Sequence, residues 1–412
     1  MTMSRNLCTR LWRMVLPGLA LALFAADGSA AAGPEVKAAA KAATVAARPK
    51  NLNVLLFMPQ SQRDGALRAM ENLAPVHRVR RGAHVRPLLS GRPLPVLAWT
   101  EAGQARTLDS YIADEHVAGV LVLQDGRVRL ERYALGFRQQ DRWTSFSVAK
   151  SVTSTLVGAA VKDGYIKSLD DPITRYLPEL AGSAYEGVSI RHVLTMTSGV
   201  KWNEDYSDPH SDVANAGAAT VITPGVDPTL AYLAKLPREA EPGTKWVYKT
   251  GETNLIGVLL THATHKTLAA YLSEKLWKPY GMGRDALWVV DANGQETGGC
   301  CLSASLRDFG RIGQFILEGG HGALPLDWLP AATRKQADVG NPGRGYGYQW
   351  WTEDDGTFDA FGIFGQLIHI DPKRRLVVVV NADWDKPVGP SHSAARAAML
   401  RAVKAAVDAS LP

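Results

Sequence analysis

Strand-forming sequence lies at both ends of this chain and encloses a long helical middle, which limits the folds available to it. Two β-rich runs within residues 118–133 flank Asp125-Gly126, a dipeptide typical of a tight hairpin turn. Strand character returns across residues 346–380, and a helix at about 391–407 follows. Residues 147–283 between them are mostly helical, with loops predicted at residues 170–172 and from Trp202 to about Pro224. The pattern therefore predicts one sheet built from distant segments and an inserted helical domain.

The first 32 residues have the organisation of a secretory signal peptide. Arg5, Arg10 and Arg13 precede an apolar run at residues 14–26, which is too short to span a bilayer stably and is followed by small residues. No later segment is long and apolar enough for a membrane span. We therefore expect a periplasmic or secreted protein, with an uncleaved anchor as the alternative.

The chain has 412 residues, more than a single hydrophobic core usually contains. Differences in composition divide the part after the signal peptide into segments. Residues 33–50, rich in Ala and Lys, are predicted to form a flexible tether, and residues 51–107 an N-terminal arm. The sheet domain is expected to combine residues 108–146 and 284–412, with residues 147–283 as the helical domain.

Charge and cysteine content indicate no nucleic-acid partner, no metal and no disulfide framework. The formal net charge of +6 includes the arginines of the signal peptide. The densest basic patch, residues 77–86, lacks interleaved aromatic residues and is interpreted as a solvated face. After signal cleavage only Cys300 and Cys301 remain. Their Cα atoms are about 3.8 Å apart, which is short for a disulfide, so free thiols are favoured.

Two Ser-x-x-Lys matches are present, and their surroundings differ. Ser147 and Lys150 open a small, apolar helical run, where a lysine on the same face can activate a serine nucleophile. The helix N-terminus also favours developing negative charge there. Ser198 and Lys201 instead lie where a helix ends and a loop begins. We therefore predict a functional Ser147 and a structural Ser198, with helix capping as the alternative role for the Ser147 hydroxyl.

Acyl transfer also requires a proton path and two donors for the oxyanion. Tyr248 lies on a loop just before a helical run, from which its hydroxyl could relay a proton. The triplet Lys249-Thr250-Gly251 copies a sequence known from penicillin-recognising enzymes, but it opens a helix rather than a strand and is interpreted as coincidental. The strand candidate is the run Gly362 to Gln366, in which the N–H of Gln366 is the expected second oxyanion donor.

In this order, the motifs resemble the serine β-lactamase and penicillin-binding superfamily, and most of all its class C-related esterase and 6-aminohexanoate-dimer hydrolase branch. The resemblance extends from about residue 51 to the C-terminus. It rests on residues 144–150, 191–199, 248–250 and 345–351 and on the strand at Gly362. It implies an α+β fold in which an antiparallel sheet, flanked by N- and C-terminal helices, carries an inserted all-helical domain.

The resemblance also implies roles for individual residues. Ser147 would be acylated, Lys150 and Tyr248 would share the base and acid roles, and the N–H groups of Ser147 and Gln366 would bind the oxyanion. Two departures, at Thr250 and at residues 363–365, remove polar groups that hold a β-lactam and its carboxylate. The sequence therefore favours an ester or amide without that carboxylate.

The substrate cleft is predicted from nearby aromatic and polar residues, although core packing or a solvated loop explains several of them equally well. The candidate substrate-binding residues are Trp202, Tyr206, Asp208, Thr250, Trp350, Gly362 and Gly365. Taken together, the sequence predicts an exported serine hydrolase of small esters or amides that requires no cofactor.

Other functions remain open at this point. Within the same fold, the alternatives are a β-lactamase, a D-Ala-D-Ala peptidase, or a non-catalytic binding or sensor module at the cell wall. An α/β-hydrolase is disfavoured because no Gly-x-Ser-x-Gly occurs. A zinc hydrolase using His262 and His265 would lack the His-Glu-x-x-His pattern and a third ligand.

Overall fold

The computed structural model describes residues 54–218 and 226–410. The predicted signal peptide and tether lie outside the described residues. None of the helices in these two ranges is sufficiently long and apolar to cross a membrane.

An eight-stranded antiparallel sheet forms the centre of the fold. Its strands, in order across the sheet, are β5 (Arg127–Tyr133), β4 (Val117–Gln124), β14 (Leu376–Ala382), β13 (Gln366–Asp371), β12 (Phe358–Gly362), β11 (Trp351–Glu353), β10 (Arg344–Tyr346) and β9 (Ala337–Asp338). Strands β4 and β5 make the predicted hairpin, with Asp125 and Gly126 at positive φ in its turn. The last strand, β14, pairs with β4, so the prediction of one sheet from distant segments is confirmed.

The N-terminal arm contributes to two smaller sheets that were not predicted. Strand β1 (Val76–Val79) pairs with β7 (Ala286–Val289), so the arm is joined to the chain just after the helical middle. These sheets contain β1 (Val76–Val79), β6 (Trp143–Thr144), β7 (Ala286–Val289) and β8 (Leu302–Ala304), and separately β2 (Ala98–Glu101) and β3 (Gln104–Thr107).

Helices cover both faces of the main sheet and fill the middle of the chain. They are α1 (Val54–Phe57), α2 (Gln60–Arg68), α3 (Leu108–Asp114), α4 (Val148–Lys162), α5 (Ile190–Leu194), α6 (Asp212–Ala218), α7 (Pro228–Leu233), α8 (Thr250–Thr264), α9 (Leu268–Leu272), α10 (Leu306–Leu317), α11 (Trp328–Ala332) and α12 (Pro390–Ala409). Shorter turns of 3-10 helix occur at Met70–Asn72, Ile173–Arg175, Pro178–Leu180 and Ile363–Gly365, and a π-helical turn at Ser273–Trp277.

Alternation along the central strands places a separate hydrophobic core on each face of the sheet. In β4, Leu121 and Leu123 belong to the core beneath α10, whereas Val120 and Val122 face the core shared with α12. Helix α10 approaches β14 closely because Gly313 lacks a side chain; a Cβ there would lie 2.4 Å from Val377. The sheet is therefore buried on both faces, as its continuous Val and Leu runs require.

Two local predictions were wrong. The loop predicted after Trp202 contains helix α6 within the described residues. The run from Gly362 to Gln366 is not one strand: β12 ends at Gly362, a 3-10 turn follows, and β13 begins at Gln366. Phe364 within this turn has φ of 58°, a conformation that side-chain propensity does not reveal.

Candidate active site

Ser147 occupies the N-cap position of α4, and its hydroxyl makes no capping hydrogen bond. The preceding residue, Phe146, has φ of 42°, which is unusual for an aromatic side chain and marks a sharp turn into the helix. The second Ser-x-x-Lys match differs: Ser198 is buried and its Oγ accepts from the Val200 N–H at 3.1 Å, while Lys201 is exposed. Only the first match therefore forms a serine–lysine pair.

Lys150 is buried beside Ser147 and is held by three oxygen atoms. Its Nζ donates to Ser147 Oγ at 2.8 Å, to Thr250 Oγ1 at 2.9 Å and to the Gly299 carbonyl at 2.9 Å. Burial lowers the pKa of Lys150 to about 8, although the nearby negative charge of Glu204 acts in the opposite direction. A substantial fraction of this amine is therefore neutral near pH 8 and able to accept a proton from Ser147.

Tyr248 lies opposite this pair, on the loop that enters α8. Lys150 Nζ is 5.0 Å from the centre of its ring, and the Trp351 ring stacks on it with the ring centres 5.6 Å apart. Burial and the charge of Glu204 raise the pKa of the Tyr248 hydroxyl, while its hydrogen bond with Ser147 lowers it. The net effect keeps the phenol protonated, as a proton donor requires.

Glu204 is a fourth polar residue of this group and was missed by sequence reasoning. Its carboxylate accepts from Tyr206 OH at 2.6 Å, from the Thr250 backbone N–H at 2.9 Å, and from Thr250 Oγ1 and Trp202 Nε1. Thr250 is the first residue of α8, so Glu204 satisfies an N–H that has no partner inside the helix. The only sequence signal was an acidic loop after Trp202.

The turn after β12 approaches Ser147 through Gly362. A Cβ at Gly362 would lie 2.5 Å from the Ser145 carbonyl, so only glycine permits this approach. Ile363, the next residue, lines the cavities beside Ser147. Gln366 does not line either cavity. Its side chain is buried and donates to the Ala382 carbonyl at 2.7 Å, which holds the turn against β14.

Two cavities meet at Ser147. The first, of about 100 Å³, has mainly apolar walls that include Leu55, Phe146, Trp202, Val213 and the cysteine pair. The second, of about 330 Å³, is lined by Tyr248, Trp351, Phe361, Trp384, Arg344 and Arg396. A substrate bound across Ser147 would therefore place its two halves in unlike environments.

The arginines give the second cavity a positive charge that the sequence did not predict. Arg344 pairs with Glu353 at 2.5 Å. The Arg396 guanidinium lies 4.1 Å over the Phe361 ring and 5.0 Å from Trp384, and no hydrogen bond or ion pair of this group occurs among residues 54–218 and 226–410. Sequence reasoning considered only the departures at Thr250 and residues 363–365, so these two arginines were not among its candidate site residues.

Comparisons with known proteins identify the family of this chain. The beta-lactamase family model matches residues 105–403 of the chain. The chain belongs to the beta-lactamase family. The 6-aminohexanoate-dimer hydrolase of Paenarthrobacter ureafaciens is 31% identical over 308 residues, which cover 70% of this chain and 78% of that protein. Esterase EstB of Burkholderia gladioli is 26% identical over 318 residues, covering 61% of this chain and 80% of that esterase.

A solved structure supports the same fold. A Bacillus anthracis protein assigned as a 6-aminohexanoate-dimer hydrolase superposes with a TM-score of 0.76 at 22% identity, covering 87% of this chain and 96% of that one. The predicted α+β fold and the predicted family are confirmed, and the enzyme is a serine hydrolase.

Four of the seven predicted substrate-binding residues line the cavities at Ser147, and three do not. Trp202, Tyr206 and Thr250 line the first cavity, and Gly362 lines the second. Three others lie elsewhere. Trp350 is buried and packs on Phe358 in the core, Asp208 accepts from the His210 N–H within an outer loop, and Gly365 faces the Trp384 ring with φ of 93°. Trp351, the neighbour of Trp350, faces the cleft instead.

The cysteine prediction was also wrong, because Cys300 and Cys301 form a disulfide between adjacent residues. Both residues line the first cavity. The peptide just before them carries the Gly299 carbonyl that binds Lys150, so the bridge constrains one wall of the site.

One group of side chains in the described ranges has the spacing of a metal site. Single ligand atoms of Asp64, His116 and Asp383 all lie within 4.8 Å of one another. However, Asp383 already forms an ion pair with buried Arg63, and none of the three residues lines the cavities beside Ser147. This group is therefore separate from the cavities at Ser147.

Proposed function

We propose that this protein is an exported hydrolase that cleaves small ester or amide bonds through an acyl-enzyme on Ser147. The observation that carries the proposal is the 2.8 Å contact between buried Lys150 and the Ser147 hydroxyl, at the junction of two cavities. Export rests on the signal-like first 32 residues, and the proposed location is the periplasm or the medium.

In the proposed reaction, Ser147 Oγ attacks the substrate carbonyl carbon as its proton passes to neutral Lys150. The N–H groups of Ser147 and Ile363 bind the resulting oxyanion; Ile363 replaces Gln366 in this role because it lines the cavities. Tyr248 donates its proton to the leaving oxygen or nitrogen as the carbonyl–leaving-group bond breaks, and it regains a proton from Lys150. Water then hydrolyses the ester on Ser147 through the same groups.

The relatives and the second cavity together suggest linear substrates. The Paenarthrobacter relative is named for an amide dimer of an amino acid, and the Burkholderia relative is named an esterase. A flexible chain lying beside Trp351 and Phe361 would bring a terminal carboxylate towards Arg344 and Arg396.

Intact-mass spectrometry with a fluorophosphonate tests the proposal directly. We expect one adduct per chain, located on Ser147 by peptide mapping and absent from Ser147→Ala. Hydrolysis of p-nitrophenyl esters, aminohexanoate oligomers, nitrocefin and D-Ala-D-Ala peptides then identifies the substrate class. Absence of an adduct on the wild-type protein, or an adduct that persists in Ser147→Ala, would refute the assignment.

A further inference from the structure

Lys150 contacts three oxygen atoms, but a neutral amine has only two N–H groups. An ammonium has three donors and no lone pair, whereas the neutral form has two donors and one lone pair. To accept the Ser147 proton, Lys150 must direct that lone pair at Ser147 Oγ. Its two N–H groups must then donate to the other two oxygens, the Gly299 carbonyl and Thr250 Oγ1.

The Gly299 carbonyl can only accept, but the Thr250 hydroxyl can also donate. Its single proton is directed to Glu204 Oε1, which leaves the oxygen lone pairs facing Lys150. Without an acceptor at Glu204, that hydroxyl could turn its proton towards the Lys150 lone pair. Lys150 would then donate to Ser147 Oγ instead of accepting from it.

We propose that Glu204 is a positioning residue for acylation, which acts through the Thr250 hydroxyl to direct the Lys150 lone pair at Ser147. The inference rests on the proposed function, because it assigns Lys150 the role of base. The position requires a strong acceptor, since four donors converge on the Glu204 carboxylate. Glu204 also caps α8, so the test must separate positioning from capping.

Substitutions at Thr250 provide that separation. Thr250→Val removes the hydroxyl but keeps the backbone N–H that donates a hydrogen bond to Glu204. Thr250→Ser keeps both donors. We expect the rate constant of fluorophosphonate labelling at pH 8 to fall about 100-fold in Thr250→Val and in Glu204→Gln, and to stay within about threefold of wild type in Thr250→Ser. Glu239→Gln, which breaks an exposed ion pair with Lys245, is the matched control.

The pH profile gives a second measurement that capping alone would not change. Glu204 is the one charged group in the described ranges that shifts the pKa of Lys150; the other neighbours are the Tyr248 ring, two hydroxyls and a carbonyl. Because the Glu204 charge raises the pKa of Lys150, Glu204→Gln should move the acid limb of the labelling profile to lower pH.

The outcomes distinguish this inference from the proposed function. If wild-type Ser147 is not labelled, the proposed function itself is refuted. If wild type is labelled and Thr250→Val reacts within threefold of it, the positioning role is overturned, even if Glu204→Gln is slow or unstable. Equal losses in Thr250→Val and Thr250→Ser would also overturn it, because the serine retains the hydroxyl.

Discussion

The protonation of Lys150 predicts a specific pH dependence for acylation. With a pKa of about 8, about 9% of Lys150 is neutral at pH 7 and about 90% at pH 9. If the neutral amine is the base, the acylation rate should rise about tenfold between these pH values and then level off. A lysine with the ordinary pKa of 10.5 would be neutral in only about 3 of 10,000 molecules at pH 7 and would give no plateau in this range.

The suitable assay is the second-order rate constant of fluorophosphonate labelling, followed by intact mass between pH 6 and pH 9.5. Fluoride leaves without needing a proton, so the profile reports the base rather than the acid. Lys150→Met should lose at least about 100-fold in rate at pH 8. A wild-type rate that is independent of pH, or one that still rises tenfold per unit above pH 9, would refute the reasoning.

Three other changes have expected outcomes. Arg396→Met should lower kcat/KM for carboxylate-bearing esters about tenfold more than for neutral esters, while Arg401→Met, further along α12 and outside the Ser147 cavities, should leave the ratio unchanged. Gly158→Ala should reduce the free energy of unfolding in urea by about 1–3 kcal/mol, because the new methyl would lie 2.6 Å from the α11 indole. Iodoacetamide should modify Cys300 and Cys301 only after a dithiol has reduced their bridge, and modification without reductant would contradict the disulfide.

Features that depend on local sequence periodicity could be predicted from the sequence. The apolar run after Ser147 predicted helix α4, and the fixed spacing of a helical turn then placed Lys150 beside the serine. The hairpin at Asp125-Gly126 was equally local. A single sheet shared by the two β-rich ends could also be inferred, because the helical middle leaves those ends free to pair with each other.

Features that depend on tertiary contacts, or on a shift of one residue along a strand, could not be predicted from the sequence. Glu204 contacts Thr250, which lies 46 residues later in the sequence, and an acidic loop carries no local signal that predicts such a contact. Neighbouring residues of a strand point to opposite faces, so the sequence could not decide between Trp350 and Trp351. The positive φ of Phe364 converts an expected strand into a turn, which moves the cleft-lining position from Gln366 to Ile363.

Burial shifts the pKa values of Lys150 and Tyr248 in opposite directions, and in the proposed reaction this difference favours distinct roles for the two residues. Removal from water disfavours any charged form, so it lowers the pKa of the amine and raises that of the phenol. Near pH 8 both groups can be neutral, but a neutral amine has a lone pair to accept a proton, whereas a neutral phenol has a proton to give. A phenolate base beside the Glu204 carboxylate would place two negative charges in one buried site, while the ammonium formed on Lys150 is stabilised by that same carboxylate. The environment therefore favours Lys150 as the base for Ser147 and Tyr248 as the acid for the leaving group.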